Sequence, residues 1–268
     1  MTDCALIFLK NYIVIQVSGK NAQTFLQGQL TCDMRLLSEH GKSTFAACCD
    51  PSGRMIANFW VVNFHGDFKL ILPESMSQLV INHLKKYAIF SKTTLALNEE
   101  DGMLASYGYS TEALDRFFAD ENSIRIALPN TDRHLLMDHQ KVLLAAASVF
   151  SGKEAMEDEC LFRLQNIMDQ LCILYPKTSL LFIPQMINLQ NFGGLSFDKG
   201  CYVGQEIITR THYLGKLKRH LHYLKLMQND VPLPGDSLKN AAGEPIGVVV
   251  DAVLQRKNEV GCLAVILD

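Results

Sequence analysis

The sequence predicts an α+β fold, in which strands and helices are mixed without regular alternation. Short β-branched, apolar runs predict strands along most of the chain, whereas capping and periodicity signals predict only a few helices between them. The composition is that of a globular protein, since 48% of the 268 residues are apolar and 20% are charged. Because domains usually contain about 100–150 residues, this length indicates more than one structural unit.

The first predicted elements are two strands and a helix. The apolar run from Leu6 to Val17 is broken once, at Lys10-Asn11, and therefore predicts two short strands joined by a turn. Residues 21–27 predict a short helix with Asn21 as its N-cap. Further strands are predicted at Thr44 to Cys48, Met55 to Phe64, Phe68 to Leu72, Met103 to Tyr107, Ile124 to Leu128 and Leu135 to Met137.

Two capping signals predict helices farther along the chain. Ser75-Met-Ser-Gln78 has the capping-box pattern and predicts a helix to about Tyr87, with Lys85-Lys86 in its last turn. Ser151-Gly-Lys-Glu154 predicts the start of another helix.

The character of the sequence changes after about residue 217. Helical signals stop, Pro234-Gly235 marks a turn, and Ile246 to Val250 and Val260 to Leu267 predict strands. We therefore expect residues 1–216 to form one region with two or more subdomains and residues 217–268 to form a small β domain.

Charge and cysteine usage exclude several classes of protein. A net charge of −3 excludes a polycation that coats nucleic acid or membranes nonspecifically. None of the eight cysteines forms a Cys-x-x-Cys pair, so neither a structural zinc site nor another metal site is expected. No apolar window approaches about 18 residues, the length that spans a membrane. These observations predict a cytoplasmic protein with free thiols and no membrane partner.

The segment with the most chemical information is Lys199-Gly-Cys-Tyr-Val-Gly-Gln-Glu206. Its glycines allow close approach of the backbone to a neighbour or ligand. If a helix starts near Tyr202, Cys201 stands at its N-terminus beside Lys199, and both influences favour the thiolate. The segment then predicts a reactive or ligand-contacting thiol. The alternative is a packed loop with a buried, inert cysteine.

Basic residues are concentrated around the same segment. Six bases stand against two acids between Asp198 and Lys225. The bases are Lys199, Arg210, Lys216, Lys218, Arg219 and Lys225. This basic belt is suited to carboxylates or phosphates. The alternative is a solvated turn and strand face, because the aromatic interleaving of single-strand nucleic-acid platforms is thin here.

Several motifs together give the chain a resemblance to a known family. The Lys199 to Glu206 segment follows Phe182-Ile-Pro-Gln185, Asn188-Leu-Gln190 and Gly193-Gly194. Supporting motifs are Leu26-Gln-Gly-Gln29, Cys49-Asp-Pro-Ser-Gly-Arg-Met55, whose Asp50 to Gly53 part is also typical of a hairpin turn, and Leu84-Lys-Lys-Tyr-Ala-Ile-Phe-Ser-Lys92. With these motifs the sequence resembles the YgfZ family of GcvT-related proteins.

The resemblance implies a GcvT-like ring of mixed α/β subdomains around a central channel, with a small C-terminal β-barrel. It also implies tetrahydrofolate in that channel, with Tyr12 and Phe162 as its aromatic contacts. Further folate contacts are expected at Asp50, Tyr202, Gln205, Glu206 and Arg210. Cys201 is the implied catalytic thiol, tuned by Lys199. The implied role is support of iron–sulfur proteins, tRNA-modifying enzymes among them.

Two departures from the related patterns bear on activity. Ala57-Asn58 stands where GcvT aminomethyltransferases carry an acidic pair, and neither residue accepts a proton at neutral pH. Met168-Asp-Gln-Leu-Cys172 stands where YgfZ relatives have a Glu-Ala-Gly-x-Pro pattern, so Asp169 is the candidate to replace the missing glutamate.

Three functions are therefore compared. The first is a folate-binding accessory protein of the YgfZ type, with a reactive thiol at Cys201. The second is a folate-dependent aminomethyltransferase or demethylase of the GcvT type, which the Ala57-Asn58 pair disfavours. The third is direct RNA binding through the belt at residues 199–225, which requires no folate.

Overall fold

Antiparallel strands dominate the computed structural model, which describes residues 4–117, 121–151 and 159–268. The strands are β1 (Ala5–Phe8), β2 (Tyr12–Ser18), β3 (Ser43–Cys49), β4 (Met55–Phe64), β5 (Asp67–Pro73), β6 (Thr94–Asn98), β7 (Asp101–Tyr107), β8 (Ile124–Ala127), β9 (His134–His139), β10 (Arg219–Leu226), β11 (Ser237–Lys239), β12 (Pro245–Arg256) and β13 (Glu259–Leu267). The α-helices are α1 (Ala22–Gln29), α2 (Ser77–Ala88), α3 (Thr111–Phe117), α4 (Gln140–Ser151), α5 (Cys160–Met168) and α6 (Gln205–Leu214).

These strands form three sheets. The orders are β3-β4-β5-β2-β6, β1-β7-β9-β8 and β10-β13-β12-β11. The turn at Lys10-Asn11 separates β1 from β2, as predicted, and the two strands then pair into different sheets. The mixture of these sheets with short helices confirms the α/β character of the predicted fold.

Two apolar cores surround the first sheet. On one face, α1 and α2 pack through residues such as Phe25, Leu26 and Leu84. The other face joins the second sheet, α5 and the irregular segment between α5 and α6 through Phe45, Phe162 and their neighbours. Burial of each such side chain stabilises the fold by about 1.5–3 kcal/mol. This second core fixes the segment that carries the family motifs.

Several predicted helix boundaries were wrong. The residue before α2 is Met76, which makes no side-chain capping bond, and a 3₁₀ turn precedes it, so the predicted capping box is absent there. Asn21 is the N-cap of α1 by position, also without a side-chain bond. Ser151 ends α4 instead of opening a helix, and residues 152–154 lie outside the described residues.

The C-terminal strands form a four-stranded antiparallel sheet. Both predicted strands are present, as parts of β12 and β13, and β10 joins them as a strand the sequence analysis had not placed. A barrel, a central channel and the boundary at residue 217 remain predictions. In the described ranges, no helix has the length and apolar character needed to cross a membrane.

Candidate functional site

The β3–β4 hairpin and the segment before α6 are interlocked through two glycines. Gly204 has φ +84°, and a methyl group there would lie 2.7 Å from the carbonyl oxygen of Asp50. Gly53 has φ +75°, and a methyl group there would lie 3.3 Å from the Gly204 oxygen. L-residues with a side chain adopt these backbone conformations only at a cost. The glycines therefore allow the hairpin and the motif segment to touch along their backbones.

Asp50 uses its carboxylate to build the hairpin turn. It accepts hydrogen bonds from the Ser52 hydroxyl at 2.7 Å and from the Arg54 backbone N–H at 2.9 Å. The turn predicted from the sequence is therefore present. Folate contact by Asp50 remains a prediction, and its carboxylate already has these local donors.

Lys199 has a different environment from the one predicted. Its buried ammonium group donates to the carbonyl oxygens of Gln27, Leu30 and Cys32, at 2.6–2.7 Å, and so caps the end of α1. Burial lowers the pKa of Lys199 to about 8. All three N–H donors of the ammonium are engaged by these oxygens. Lys199 therefore anchors the motif to α1, and its influence on Cys201 remains a prediction.

Cys201 is exposed. The inert, buried thiol that the sequence left as an alternative is thus contradicted at this position. By contrast, burial raises the pKa of Cys32 and Cys48 to about 12, so both stay protonated thiols at neutral pH. α6 begins at Gln205 and not near Tyr202, so Cys201 precedes the helix by four residues. The expected proximity to the helix N-terminus is therefore corrected.

The remaining predicted residues of the motif divide into buried and exposed ones. Tyr202 is buried with its ring 4.8 Å from the Lys199 Nζ, and its hydroxyl has no protein partner among the described residues. Glu206 and Arg210 are exposed on α6, and Gln205 is half-buried at its start. The motif thus presents a thiol and polar groups above a buried anchor.

A separate cavity lies between β2, α5 and the C-terminal region. Its volume is about 830 Å³. The lining residues are Asn11, Tyr12, Ile13, Pro73, Glu74, Ser75, Ser77, Gln78, Leu97, Glu99, Glu159, Arg163, Tyr175, Leu233 and Pro234. Residues 199–210 do not line it, so the structure places the predicted site residues in two groups. Tyr12 belongs to the cavity, and Cys201 and its neighbours belong to the motif surface.

Tyr12 and Phe162, the two aromatic residues that the resemblance implies as folate contacts, touch each other. Their rings meet edge to face, with centroids 5.7 Å apart. Tyr12 lines the cavity, whereas Phe162 is only 2% exposed and supports the Tyr12 ring from behind. Burial and the nearby Tyr175 raise the pKa of Tyr12 well above its ordinary value. Tyr12 therefore presents a neutral phenol, and direct contact of Phe162 with a ligand remains a prediction.

The cation at this cavity is Arg163, which the sequence analysis had not selected. Arg163 forms an ion pair with the buried Asp251 of β12 and donates to the Ala252 carbonyl at 3.0 Å. The Tyr175 hydroxyl also donates to Asp251, at 3.3 Å. No residue of the basic belt lines this cavity, and a contact between the belt and a folate remains a prediction. These contacts join α5 and Tyr175 to the C-terminal sheet. The residues in contact are at least 76 positions apart, so no local sequence pattern indicates them.

The two segments that depart from the related patterns, Ala57-Asn58 and Met168 to Cys172, contact each other in the structure. The buried Asn58 amide donates to the Cys172 carbonyl at 2.7 Å, and its oxygen accepts from the Leu174 N–H at 2.9 Å. Asn58 therefore holds the segment after α5 with both ends of its amide. An aspartate there could accept from Leu174 but would face the Cys172 oxygen without a proton to donate. This geometry assigns Asn58 a structural contact.

Asp169 does not face the first cavity. It pairs with the buried Arg133 at 2.5 Å, beside a shallow cavity that includes Gln165. Met168 is 48% exposed, and Gln170 has φ +56°, where the related pattern has glycine. Replacement of the missing glutamate by Asp169 is therefore not supported by the direction of its side chain. In the described ranges, no group of three or more His, Cys, Asp or Glu side chains is placed to hold a metal ion.

Comparison with known proteins gives sequence relatives and a structural neighbour. The chain is 33% identical over 259 residues to the tRNA-modifying protein YgfZ of Enterobacter sp. (strain 638), covering 89% of this chain and 77% of that protein. It is 31% identical to the protein of the same name from Sodalis glossinidius, over 89% of this chain and 76% of the relative. No family model matches the chain.

The structural neighbour is the glycine cleavage system aminomethyltransferase T from Bartonella henselae. The TM-score is 0.76 at 16% identity, and the match covers 98% of this chain and 78% of the other. This likeness shows a shared fold, of the GcvT type that the sequence motifs implied. The identity to the YgfZ proteins extends over most of this chain and most of each relative. The chain therefore belongs to the YgfZ family.

Proposed function

We propose that this protein is a folate-binding accessory factor that supports tRNA modification, with iron–sulfur enzymes among its partners. The observation that carries the proposal is the Tyr12 cavity, which combines an aromatic wall with carboxylates and a cation. The relatives' name, tRNA-modifying protein YgfZ, supports the cellular role.

The size and lining of the cavity fit a reduced folate. A volume of about 830 Å³ lies within the roughly 300–1,000 Å³ of small-molecule sites. The neutral ring of Tyr12, supported by Phe162, offers a surface on which a pterin can pack. The carboxylates of Glu74 and Glu159 offer acceptors for the adjacent N–H groups of the pterin edge.

Arg163 supplies a group for the acidic end of such a ligand. Its Nε and Nη2 hydrogen-bond to Asp251 and Ala252, whereas its Nη1 has no partner within the described ranges. Guanidinium groups bind carboxylates through fixed, planar N–H donors. Arg163 is thus held in place by Asp251 and retains donors for a ligand carboxylate.

Cys201 is the proposed reactive group of the second surface. It is exposed, as Cys4 and Cys160 are, whereas the Cys32, Cys48, Cys49, Cys172 and Cys262 thiols are buried. The backbone that carries it is anchored by Lys199 on one side and by the Gly204–Asp50 contact on the other. We propose that this fixed thiol contacts partner proteins or their sulfur groups.

Folate binding is tested by thermal and chemical unfolding with tetrahydrofolate. A ligand at 100 times its dissociation constant raises the free energy of unfolding by about 2.7 kcal/mol. We expect this protection in the wild type and a loss of at least tenfold in affinity in Tyr12→Ala. Tyr87→Ala, on the exposed face of α2, is the matched control and should bind like the wild type. Absence of protection in the wild type would refute the proposed ligand.

The aminomethyltransferase alternative has the shared fold in its favour and the residue at position 58 against it. The fold is shared, but the position of the acidic pair holds Asn58, whose amide is occupied by the backbone of Cys172 and Leu174. Turnover of an aminomethyl donor with glycine-cleavage partner proteins would overturn our preference.

A further inference from the structure

An aromatic cluster lies at the end of α6, close in sequence to Cys201. Phe197 and His212 stack nearly parallel, with ring centroids 3.8 Å apart and an interplanar angle of 18°. Tyr213 meets His212 edge-on at 4.7 Å and Phe197 at 6.4 Å. Phe197 precedes the basic belt in sequence and stacks on His212, 15 residues later. The cluster therefore forms only when the segment at Phe197 packs against α6.

Phe197 is half-buried against the core, whereas the other rings of the cluster are exposed. Tyr213 is 65% exposed and Leu214 is 85% exposed, and His212 is also exposed. Large apolar and aromatic side chains are usually buried, so a group of adjacent exposed ones marks an interaction site. The surface consisting of Phe197, His212, Tyr213 and Leu214 is called the α6 surface below.

Unpaired cations lie close in sequence to the α6 surface. Arg210, Lys216, Lys218 and Arg219 are exposed and form no ion pair with any described residue. The rest of the belt is already engaged, since Lys199 is buried on carbonyl oxygens and Lys225 pairs with Glu259 at 3.6 Å. The exposed acids of this region are Asp198, Glu206 and Asp268, whose backbone N–H donates to the Lys218 carbonyl oxygen. Cations therefore outnumber acids around exposed rings.

We propose that the α6 surface binds unpaired nucleotides of RNA. Stacking rings flanked by cations are what single-stranded nucleic acid requires, because every base has a planar face and every linkage a negative charge. Phe197 and His212 already cover one face of each other, so the 65% exposed Tyr213 is the most accessible ring for a base. The choice of RNA rests on the proposed role in tRNA modification, whereas the surface itself is independent of the Tyr12 cavity.

Binding is tested by fluorescence anisotropy with a labelled 12-nucleotide uridine RNA at 50 mM salt. Loss of one base–aromatic stack weakens binding by about tenfold. We expect this effect for Tyr213→Ala and for His212→Ala. Phe90→Ala is the matched control: Phe90 is 89% exposed and lies near Lys85, Lys86 and Lys92, but it belongs to no ring pair among the described residues. Its affinity should stay within twofold of the wild type.

The charges and the ligand class are tested separately. Lys216→Gln combined with Lys218→Gln should reduce the dependence of log affinity on log salt by about 1.4, since each phosphate contact on a single strand contributes about 0.7. Equal binding of wild type and Tyr213→Ala would overturn the proposal, as would undetectable binding of the wild type at 50 mM salt. Tighter binding of a DNA strand of the same sequence would contradict the choice of RNA.

Two further outcomes separate this inference from the proposed function. Tyr213→Ala should retain protection by tetrahydrofolate, so loss of RNA binding with intact folate protection supports the inference alone. If Tyr213→Ala abolishes tRNA modification in cells but binds RNA like the wild type, the α6 surface docks a protein and the proposal is wrong. Absence of folate protection in the wild type with intact RNA binding would refute only the folate proposal.

Discussion

At the scale of single residues, Lys199 shows how a charged side chain in a reactive-looking motif can have an anchoring role. Its ammonium is enclosed by three carbonyl oxygens at the end of α1, an arrangement that uses each of its N–H donors once. Cys201 lies two residues away on an exposed segment. The motif therefore combines a fixed backbone with an accessible thiol.

Lys199→Met should lower the free energy of unfolding by about 1–3 kcal/mol, because three buried carbonyl groups lose their donor. Lys199→Arg should rescue this loss only in part, since the planar guanidinium cannot point three donors at the same set of oxygens. Urea unfolding measures both changes. Lys216→Met is the matched control and should remain within about 0.5 kcal/mol of the wild type. If Lys199→Met is as stable as the wild type, Lys199 does not anchor the motif.

At the scale of elements, the β3–β4 hairpin positions the motif. Gly204→Ala should destabilise the protein by about 1–3 kcal/mol, because the new methyl group meets the Asp50 oxygen and the backbone has φ +84°. Gly200→Ala, four residues earlier, places its methyl group in open space and should change stability by less than about 0.5 kcal/mol.

The same pair of variants tests the position of the thiol. We expect the rate of Cys201 alkylation to change in Gly204→Ala and to stay at the wild-type value in Gly200→Ala, as followed by mass spectrometry. Similar rates and stabilities in both variants would show that the hairpin contact does not position the motif.

Strands were easier to predict than helices in this sequence. β4 was predicted with its observed bounds because its aromatic and β-branched residues follow a turn signal, and that combination favours a strand over a helix. α4 was missed because its sequence, rich in alanine and leucine, carries no capping signal at its start. The start of α6 was misplaced because Gly204, in the left-handed region, delays the helix to Gln205.

The candidate site was predictable only where its residues are close in sequence. The Lys199 to Glu206 motif was found from its glycines and its cysteine, and Tyr12 from the family resemblance. Arg163 and Asp251 could not be found, because they are 88 positions apart in the sequence and leave no local pattern. The contact exists only once α5 packs on β12.

At the scale of the whole molecule, the fold is shared with an aminomethyltransferase while the site differs. The structural match covers 98% of the chain at 16% identity. Within that fold, the Asn58 amide is bonded to the backbone of Cys172 and Leu174, at the position where the family resemblance implies an acidic pair in the aminomethyltransferases. A shared fold therefore does not imply shared chemistry, and the side chains in the site must decide the activity.

The C-terminal sheet is coupled to the Tyr12 cavity through Asp251. This buried carboxylate holds Arg163 and the Tyr175 hydroxyl, and both of these residues line the cavity. Asp251→Asn leaves the Arg163 guanidinium without its counter-charge. Because Arg163 is one third exposed, the cost is smaller than for a fully buried pair, and we expect a loss of about 2 kcal/mol in unfolding free energy.

Asp251→Asn should also weaken the binding of tetrahydrofolate. With Arg163 and Tyr175 no longer fixed, protection by tetrahydrofolate should weaken in Asp251→Asn. The matched control is Glu259→Gln in the same sheet, which removes the partner of the exposed Lys225 and should cost less than about 1 kcal/mol. Urea unfolding with and without tetrahydrofolate measures both effects. If Asp251→Asn behaves like Glu259→Gln in both measurements, the C-terminal sheet folds beside the cavity without shaping it.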